Sequence, residues 1–115
     1  NRIHYLKLAQ KKLGCTVLLK GSHTLVCDGD KIIEIQTGNA ALAKAGTGDV
    51  LTGMIAGFMA QGVQPLNAAV LAATLHGAMA DSWVKSKRDQ GGLMASDLLT
   101  MLPETIFKFR KYAKF

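Results

Sequence analysis

The sequence is poor in cysteine and proline, and each shortage excludes a class of protein. Cys15 and Cys27 stand in or beside apolar runs, with neither CxxC spacing nor a companion histidine cluster. This pattern favours a reduced, cytoplasmic protein without a metal site, and leaves a disulfide as the alternative. Two prolines among 115 residues, 49% of them hydrophobic, exclude a disordered composition.

Long apolar segments are also missing. The apolar stretch after Asp49 is broken by Gly62 and Pro65, well before the roughly 20 residues that a membrane helix needs. The N-terminus, residues 1–4, has neither the apolar region of a signal peptide nor a starting methionine. We therefore expect no membrane partner, and a single domain or part of one, cut from a longer polypeptide.

Acidic residues number 8 against 14 basic ones, which gives a net charge of +6. Four of the basic residues fall in the last eight positions: Lys108, Arg110, Lys111 and Lys114. Cations suit the C-terminal end of a helix, and nucleic-acid binding is the alternative. Because no base-stacking module accompanies them, we expect no nucleic-acid partner. An anionic small substrate explains part of the excess charge equally well.

Hydrophobic periodicity predicts one helix, then three strands, then three helices. The predicted elements cover residues 2–13, 16–19, 24–27, 31–35, 50–61, 66–84 after Pro65, and 97–112. Gly14 should end the first helix and Gly29 should turn a hairpin. Ser96 is the expected N-cap of the last helix, which Pro103 should kink or divide.

The strand at residues 16–19 is continuously apolar, which is typical of a strand buried on both faces. Three short strands give only a small sheet, and a strand buried on both faces needs neighbours on either side. We therefore expect an α/β fold in which further strands come from an earlier part of the polypeptide.

The sequence Gly46-Thr47-Gly48-Asp49 precedes an apolar helix and has the features of an anion-binding turn. It lacks the GxxxxGK[ST] pattern of a P-loop and the glycine spacing of a Rossmann fingerprint. Asp49 is either a helix N-cap, worth about 1 kcal/mol, or a base that deprotonates a hydroxyl during phosphoryl transfer. The glycines on both sides of Thr47 favour the second interpretation, since a cap does not require them.

Other polar residues also admit two interpretations. Residues 20–24, Lys-Gly-Ser-His-Thr, follow a predicted strand and form either a phosphate-holding loop or an ordinary turn. His76 falls on an apolar helix and is more typical of a hydrogen-bonded core histidine than of a base. Asp81 follows five residues later, a spacing that does not place it beside His76 on the helix.

Together these segments resemble the ribokinase-like family in its ADP/ATP-dependent NAD(P)H-hydrate dehydratase branch. The resembling segments are residues 20–24, 37–39, 45–57, 75–77, 80–81, 92–99 and 102–103. The chain departs from the family pattern at Ala40, where proline is frequent, and at Ala45, where glycine is frequent. The resemblance implies a ribokinase-like three-layer α/β/α sandwich, with residues 1–115 as the C-terminal segment of one such domain.

The resemblance also implies an activity, the repair of hydrated nicotinamide cofactors. ADP or ATP, with Mg²⁺, would phosphorylate the hydroxyl of (6S)-hydrated NADH or NADPH, and phosphate would then leave. Asp49 would be the catalytic base and would contact the hydrated cofactor. The implied nucleotide-binding residues are Lys20, Gly21, Ser22, His23, Thr24, Asn39, Gly46, Thr47 and Gly48.

The same resemblance implies an N-terminal part of the same domain that supplies much of the cofactor pocket. We also expect a homo-oligomer. Two alternatives stay open at this point. One is a ribokinase-type small-molecule kinase, such as a hydroxymethylpyrimidine kinase, which would use Asp49 in the same way. The other is a non-catalytic nucleotide-binding module, in which Asp49 only caps a helix.

Overall fold

A small antiparallel sheet and a set of helices make up the described residues, 1–86 and 88–110, of the computed structural model. The helices are α1 (Arg2–Leu13), α2 (Thr47–Ala60), α3 (Pro65–Lys85) and α4 (Ala95–Phe109). The strands are β1 (Val17–Leu19), β2 (Leu25–Asp28) and β3 (Lys31–Glu34). Short 3₁₀ turns lie at Ala40–Leu42 and Gln90–Gly92. No described helix combines the length and hydropathy needed to cross a bilayer.

Local signals fix the first helix as predicted. Asn1 caps α1, because its Oδ1 accepts hydrogen bonds from the amides of Ile3 at 3.0 Å and His4 at 3.4 Å. Gly14 ends the helix at φ +69°, a left-handed conformation that glycine adopts without a steric penalty. Only Leu6 of this helix is buried, so α1 packs on the sheet through a single anchoring side chain.

The sheet has the order β1-β2-β3, and Asp28 pairs with Lys31 across a two-residue turn. Gly29 in that turn has φ +61°, which confirms the predicted hairpin. Full burial at residues 16–19 requires the further strands expected from an earlier part of the polypeptide, and it stays a prediction. The strand Val17–Leu19 lies at the sheet edge and is only half-buried, whereas β2 carries three buried residues.

The helix α3 is the centre of the structure. Nine of its residues are buried: Ala68, Ala69, Ala72, Ala73, Leu75, His76, Gly77, Met79 and Ala80. Leu75 and Met79 are fully buried, and each such side chain contributes about 1.5–3 kcal/mol of hydrophobic stabilisation. Because the other buried residues except His76 are alanine or glycine, α2, α4 and the loop after β3 can approach the α3 backbone closely.

The helix boundaries correct three expectations. Helix α2 begins at Thr47 rather than residue 50, and α4 begins at Ala95, so Ser96 is not its N-cap. Instead, Oδ2 of Asp97 accepts a hydrogen bond from the amide of Met94 at 2.9 Å and closes the first turn of α4. Pro103 lies inside α4 without dividing it.

The predicted C-terminal basic cluster is only partly described. Lys108 is paired with Glu104 at 3.5 Å, one helical turn earlier, and both side chains are largely exposed. Such a pair is worth roughly 0–1 kcal/mol. Lys111, Lys114 and the expected helix end near residue 112 lie outside the described residues.

Candidate functional site

A cavity of about 530 Å³ opens between the end of β1, the segment after β3 and the middle of α3. This volume is in the range of small-molecule sites. Polar side chains from Lys20, Ser22, Thr24, Thr37 and Asn39 line it beside an apolar surface formed by Ile35, Leu42, Leu51 and Ala73. The cavity therefore offers both an apolar surface and several hydrogen-bonding groups to one ligand.

The Lys20 ammonium reaches the first turn of α2. A Cβ atom placed on Gly48 would lie 2.6 Å from Lys20 Nζ, closer than real side-chain contacts allow. Glycine at this position is therefore what lets the ammonium approach the helix. The start of a helix carries about half a positive elementary charge and unpaired N–H groups. Lysine and helix start together favour an anion at this point.

The start of α2 is built around Gly46 and Thr47. Gly46 is the N-cap at φ +88°. Thr47 is buried, and its Oγ1 lies 2.7 Å from the Leu42 carbonyl oxygen and 2.9 Å from that of Lys44. Asp49 is the third residue of α2, so the interpretation of Asp49 as the N-cap is wrong.

A second loop, residues 37–39, is held against α3. Oδ2 of Asp81 accepts from the Gly38 amide at 3.0 Å, and its Oδ1 accepts from Asn39 Nδ2 at 3.0 Å. Thr37 Oγ1 donates to the Thr74 carbonyl at 2.8 Å. Asp81 thus positions Asn39, a role that the sequence did not reveal because the two residues are 42 positions apart.

Replacing Asp81 with asparagine should loosen this loop. The amide group can still accept one of the two hydrogen bonds, but its NH₂ then faces another donor, which costs about 1–3 kcal/mol of folding free energy. Thermal denaturation measures the loss. Ser82→Ala is the matched control, since Ser82 is the exposed neighbour on the same helix; equal stability of the two variants would contradict the role of Asp81.

His76 connects α3 to the first turn of α2. It is 4% exposed, and its Nε2 lies 2.9 Å from the Thr47 carbonyl oxygen. Burial lowers the pKa of His76, and the nearby Lys20 charge lowers it further, while the hydrogen bond to Thr47 acts in the opposite direction. His76 is therefore a neutral, hydrogen-bonded core residue at pH 7, in agreement with the more conservative sequence interpretation.

The structure brings most of the predicted nucleotide-binding residues together. The cavity lining includes Lys20, Gly21, Ser22, Thr24 and Asn39. Two lining residues also approach residues 46–48: Lys20 Nζ lies beside Gly48, and His76 Nε2 lies 2.9 Å from the Thr47 carbonyl oxygen. His23 is the exception. Its side chain is exposed, and its Nδ1 lies 3.3 Å from Glu34 Oε1 on β3.

Asp49 faces a different concavity from the other predicted residues. It lies at a groove of about 490 Å³ between α2 and α4. The groove is otherwise lined by Val50, Gly53, Met54, Gly57, Phe58, Gln61, Leu99, Leu102 and Ile106. Gly48, whose ideal Cβ position lies 2.6 Å from Lys20 Nζ, directly precedes Asp49 in the chain. Among the described residues, no group of three or more acidic, histidine or cysteine side chains is arranged to hold a metal ion.

Comparison with known proteins identifies the family. The model of the NAD(P)H-hydrate dehydratase family matches residues 1–104. The chain belongs to this family. It is 42% identical, over 92% of its length, to a bifunctional NAD(P)H-hydrate repair enzyme of Vibrio cholerae, of which it covers 21%.

Solved structures of the dehydratase family and of its superfamily share the fold. One is the ADP/ATP-dependent NAD(P)H-hydrate dehydratase of Bacillus subtilis co-crystallised with ATP and Mg²⁺. It is 37% identical, with a TM-score of 0.87 over 95% of this chain and 39% of that one. A ribokinase-like superfamily protein of Enterococcus faecalis has 31% identity and a TM-score of 0.74, over 95% of this chain and 36% of that one.

These findings confirm the family resemblance and the ribokinase-like α/β fold. The chain spans between about a fifth and two fifths of the length of these relatives. The described residues contribute the antiparallel strands β1–β3, the helices α1 and α3 that pack on them, and the helices α2 and α4 that pack on α3.

Proposed function

We propose that the complete protein converts (6S)-hydrated NADH and NADPH back to NADH and NADPH, with ADP or ATP as phosphoryl donor. The observation that carries the proposal is the convergence of Lys20 Nζ with the first turn of α2 at Gly48, directly before Asp49. Its further support is the family match and a relative that was co-crystallised with ATP and Mg²⁺.

The proposed chemistry solves a leaving-group problem, because hydroxide leaves a carbon atom poorly. The ring hydroxyl oxygen attacks the terminal phosphorus of the nucleotide, and Asp49 accepts the hydroxyl proton. The bond from that phosphorus to the nucleotide breaks and releases AMP or ADP. The carbon–oxygen bond then breaks, phosphate departs with its electrons, and loss of a proton from the neighbouring carbon restores the double bond.

The two concavities suggest how the substrates are arranged. The nucleotide would occupy the cavity lined by Lys20, Gly21, Ser22, Thr24 and Asn39. The transferred group would lie at the turn of Gly46, Thr47 and Gly48, where N–H groups and the ammonium balance its charge. The hydrated cofactor would approach from the groove side, on which Asp49 lies. His23 would contribute through the main-chain conformation of its loop, because its side chain is directed to Glu34.

Mg²⁺ is the metal that the proposed reaction implies. It is usually bound by one or two carboxylates together with substrate phosphates, rather than by a full set of protein ligands. Asp49, on the first turn of α2, is assigned to the hydroxyl proton in this proposal, so the ion would be held mainly by the nucleotide phosphates and water. The ion would neutralise phosphate charge during the transfer.

The deciding experiment supplies hydrated NADH, Mg²⁺ and either ADP or ATP to the complete protein. Recovery of the reduced-nicotinamide absorbance, with release of one phosphate per cofactor, is the expected result. Absence of recovery, together with phosphate transfer to another alcohol, would instead identify a small-molecule kinase.

We further propose that residues 1–115 form the C-terminal segment of one ribokinase-like domain in a cytoplasmic homo-oligomer. The support for a segment is the 39% coverage of the B. subtilis structure. The support for a reducing compartment is that Cys15 and Cys27 are both free. The support for self-association is the set of exposed apolar side chains on α1, which comprises Ile3, Tyr5, Leu8 and Leu13. Light scattering of the complete protein tests the last point.

A further inference from the structure

His76 is a buried titratable residue that the proposed reaction does not use. It lies in the middle of α3, and its Nε2 is 2.9 Å from the carbonyl oxygen of Thr47, 29 residues earlier in the chain. A carbonyl oxygen can only accept a hydrogen bond, so Nε2 carries the proton and donates it. The imidazole is thus oriented in one tautomer toward the first turn of α2.

The accepting carbonyl belongs to the same peptide unit as the Gly48 N–H. The C=O of Thr47 and the N–H of Gly48 share one planar trans peptide bond and point in opposite directions. Gly48 is the second residue of α2, so its N–H lies among the first-turn groups that lack an acceptor within the helix. A hydrogen bond that fixes the carbonyl therefore also fixes the direction of this N–H, and polarises it as a donor.

We propose that His76 is a positioning residue that holds the Thr47 carbonyl and thereby aims the Gly48 N–H at the transferred phosphoryl group. The inference rests on the proposed function. The turn is then held from two directions, because Thr47 Oγ1 bonds to the carbonyls of Leu42 or Lys44 while His76 holds its main chain.

The electrostatic surroundings fit this role. Burial and the Lys20 ammonium lower the pKa of His76, so that the ring is neutral at pH 7 and adds no charge beside the lysine. A residue that merely filled space would need the right volume but no donor. The hydrogen bond from Nε2 is therefore the property to test.

The test compares His76→Gln, which keeps a side-chain N–H donor, with His76→Leu, which keeps bulk without one. In the complete protein His76→Leu should lower kcat by about tenfold to a hundredfold, the size of effect seen when a reacting group is misplaced by about 1 Å. Its KM for ATP should change much less. His76→Gln should recover most of the kcat, and thermal denaturation of each variant controls for folding. Equal kcat in the two variants would overturn the proposal.

A second measurement keeps the inference testable if His76→Leu does not fold. In wild-type protein with ¹⁵N-labelled histidine, NMR should find Nε2 protonated and Nδ1 unprotonated at pH 7, and ATP should shift the Gly48 amide resonance. The opposite tautomer, or an unmoved Gly48 resonance, would overturn the proposal. If ATP shifts this resonance but hydrated NADH is not repaired, the proposed function fails while the role of His76 in positioning the amide stands.

Discussion

Replacing Asp49 with alanine should lower kcat for hydrated NADH by about 10²–10⁴-fold, the usual contribution of a general base. Binding of ATP should persist, because the nucleotide cavity is lined by other residues and Asp49 lies on the groove side of the turn. Absorbance recovery measures turnover, and calorimetric titration with ATP measures binding. Asp30→Ala, a change at an exposed carboxylate in the β2–β3 turn, is the matched control and should leave both quantities unchanged.

The structure sharpens what each outcome of this experiment means. Because Asp49 is the third residue of α2 and not its N-cap, its removal costs only the interaction with the helix dipole, about 0.3–1 kcal/mol. A large loss of turnover with a small loss of thermal stability therefore identifies chemistry and not folding. Unchanged turnover would remove Asp49 from the mechanism. Loss of ATP binding in parallel with turnover would assign it to nucleotide binding instead.

The elements that the sequence predicts correctly depend on local signals. Helix α1 ends at Gly14 and the hairpin turns at Gly29. Each glycine has a positive φ, which glycine adopts without the steric cost that other residues have. The start of α3 at Pro65 follows from the fixed φ of proline at a first helical turn. None of these features requires knowledge of distant residues.

The start of α2 was predicted three residues too late for a physical reason. Two glycines lower the local helix propensity, so the sequence places the helix after them. In the structure the helix begins at Thr47, and the long-range contact from His76 and the bonds of Thr47 Oγ1 hold that first turn. Tertiary anchoring, which no local pattern shows, overrides the propensity.

The sequence predicts the residues that line the candidate site, but not the residues that hold its loops in place. The ordered segments at residues 20–24, 37–39 and 45–57 indicated the residues that line the cavity and the turn. Asp81 and His76 fall in segments that also carry the family resemblance, but the sequence does not indicate which residues they contact. Their hydrogen-bond partners lie 42 and 29 residues away in the sequence. Which residues of α3 face these loops depends on tertiary packing, which no local sequence pattern shows.

Replacing Gly77 with alanine should destabilise the fold and open the site. A Cβ at this position would lie 2.5 Å from the Thr37 carbonyl carbon and 2.6 Å from its oxygen. These are main-chain atoms, so no side-chain rotation can relieve the overlap. Helix α3 and the loop at residues 37–39 would have to separate, which strains the hydrogen bonds from Thr37 to Thr74 and from Gly38 to Asp81.

We expect the Gly77→Ala variant to lose about 1–3 kcal/mol of stability, the usual cost of overpacking, and to bind ATP more weakly. Gly57→Ala is the matched control, because Gly57 is an exposed position inside α2 and a Cβ there meets no heavy atom within 4 Å. That substitution should raise stability by roughly 0.5–1 kcal/mol, since alanine loses less backbone entropy than glycine in a helix. Urea denaturation measures both changes. Equal stability of Gly77→Ala and wild type would show that α3 does not hold the loop by close backbone contact, and the cavity would then need another explanation for its shape.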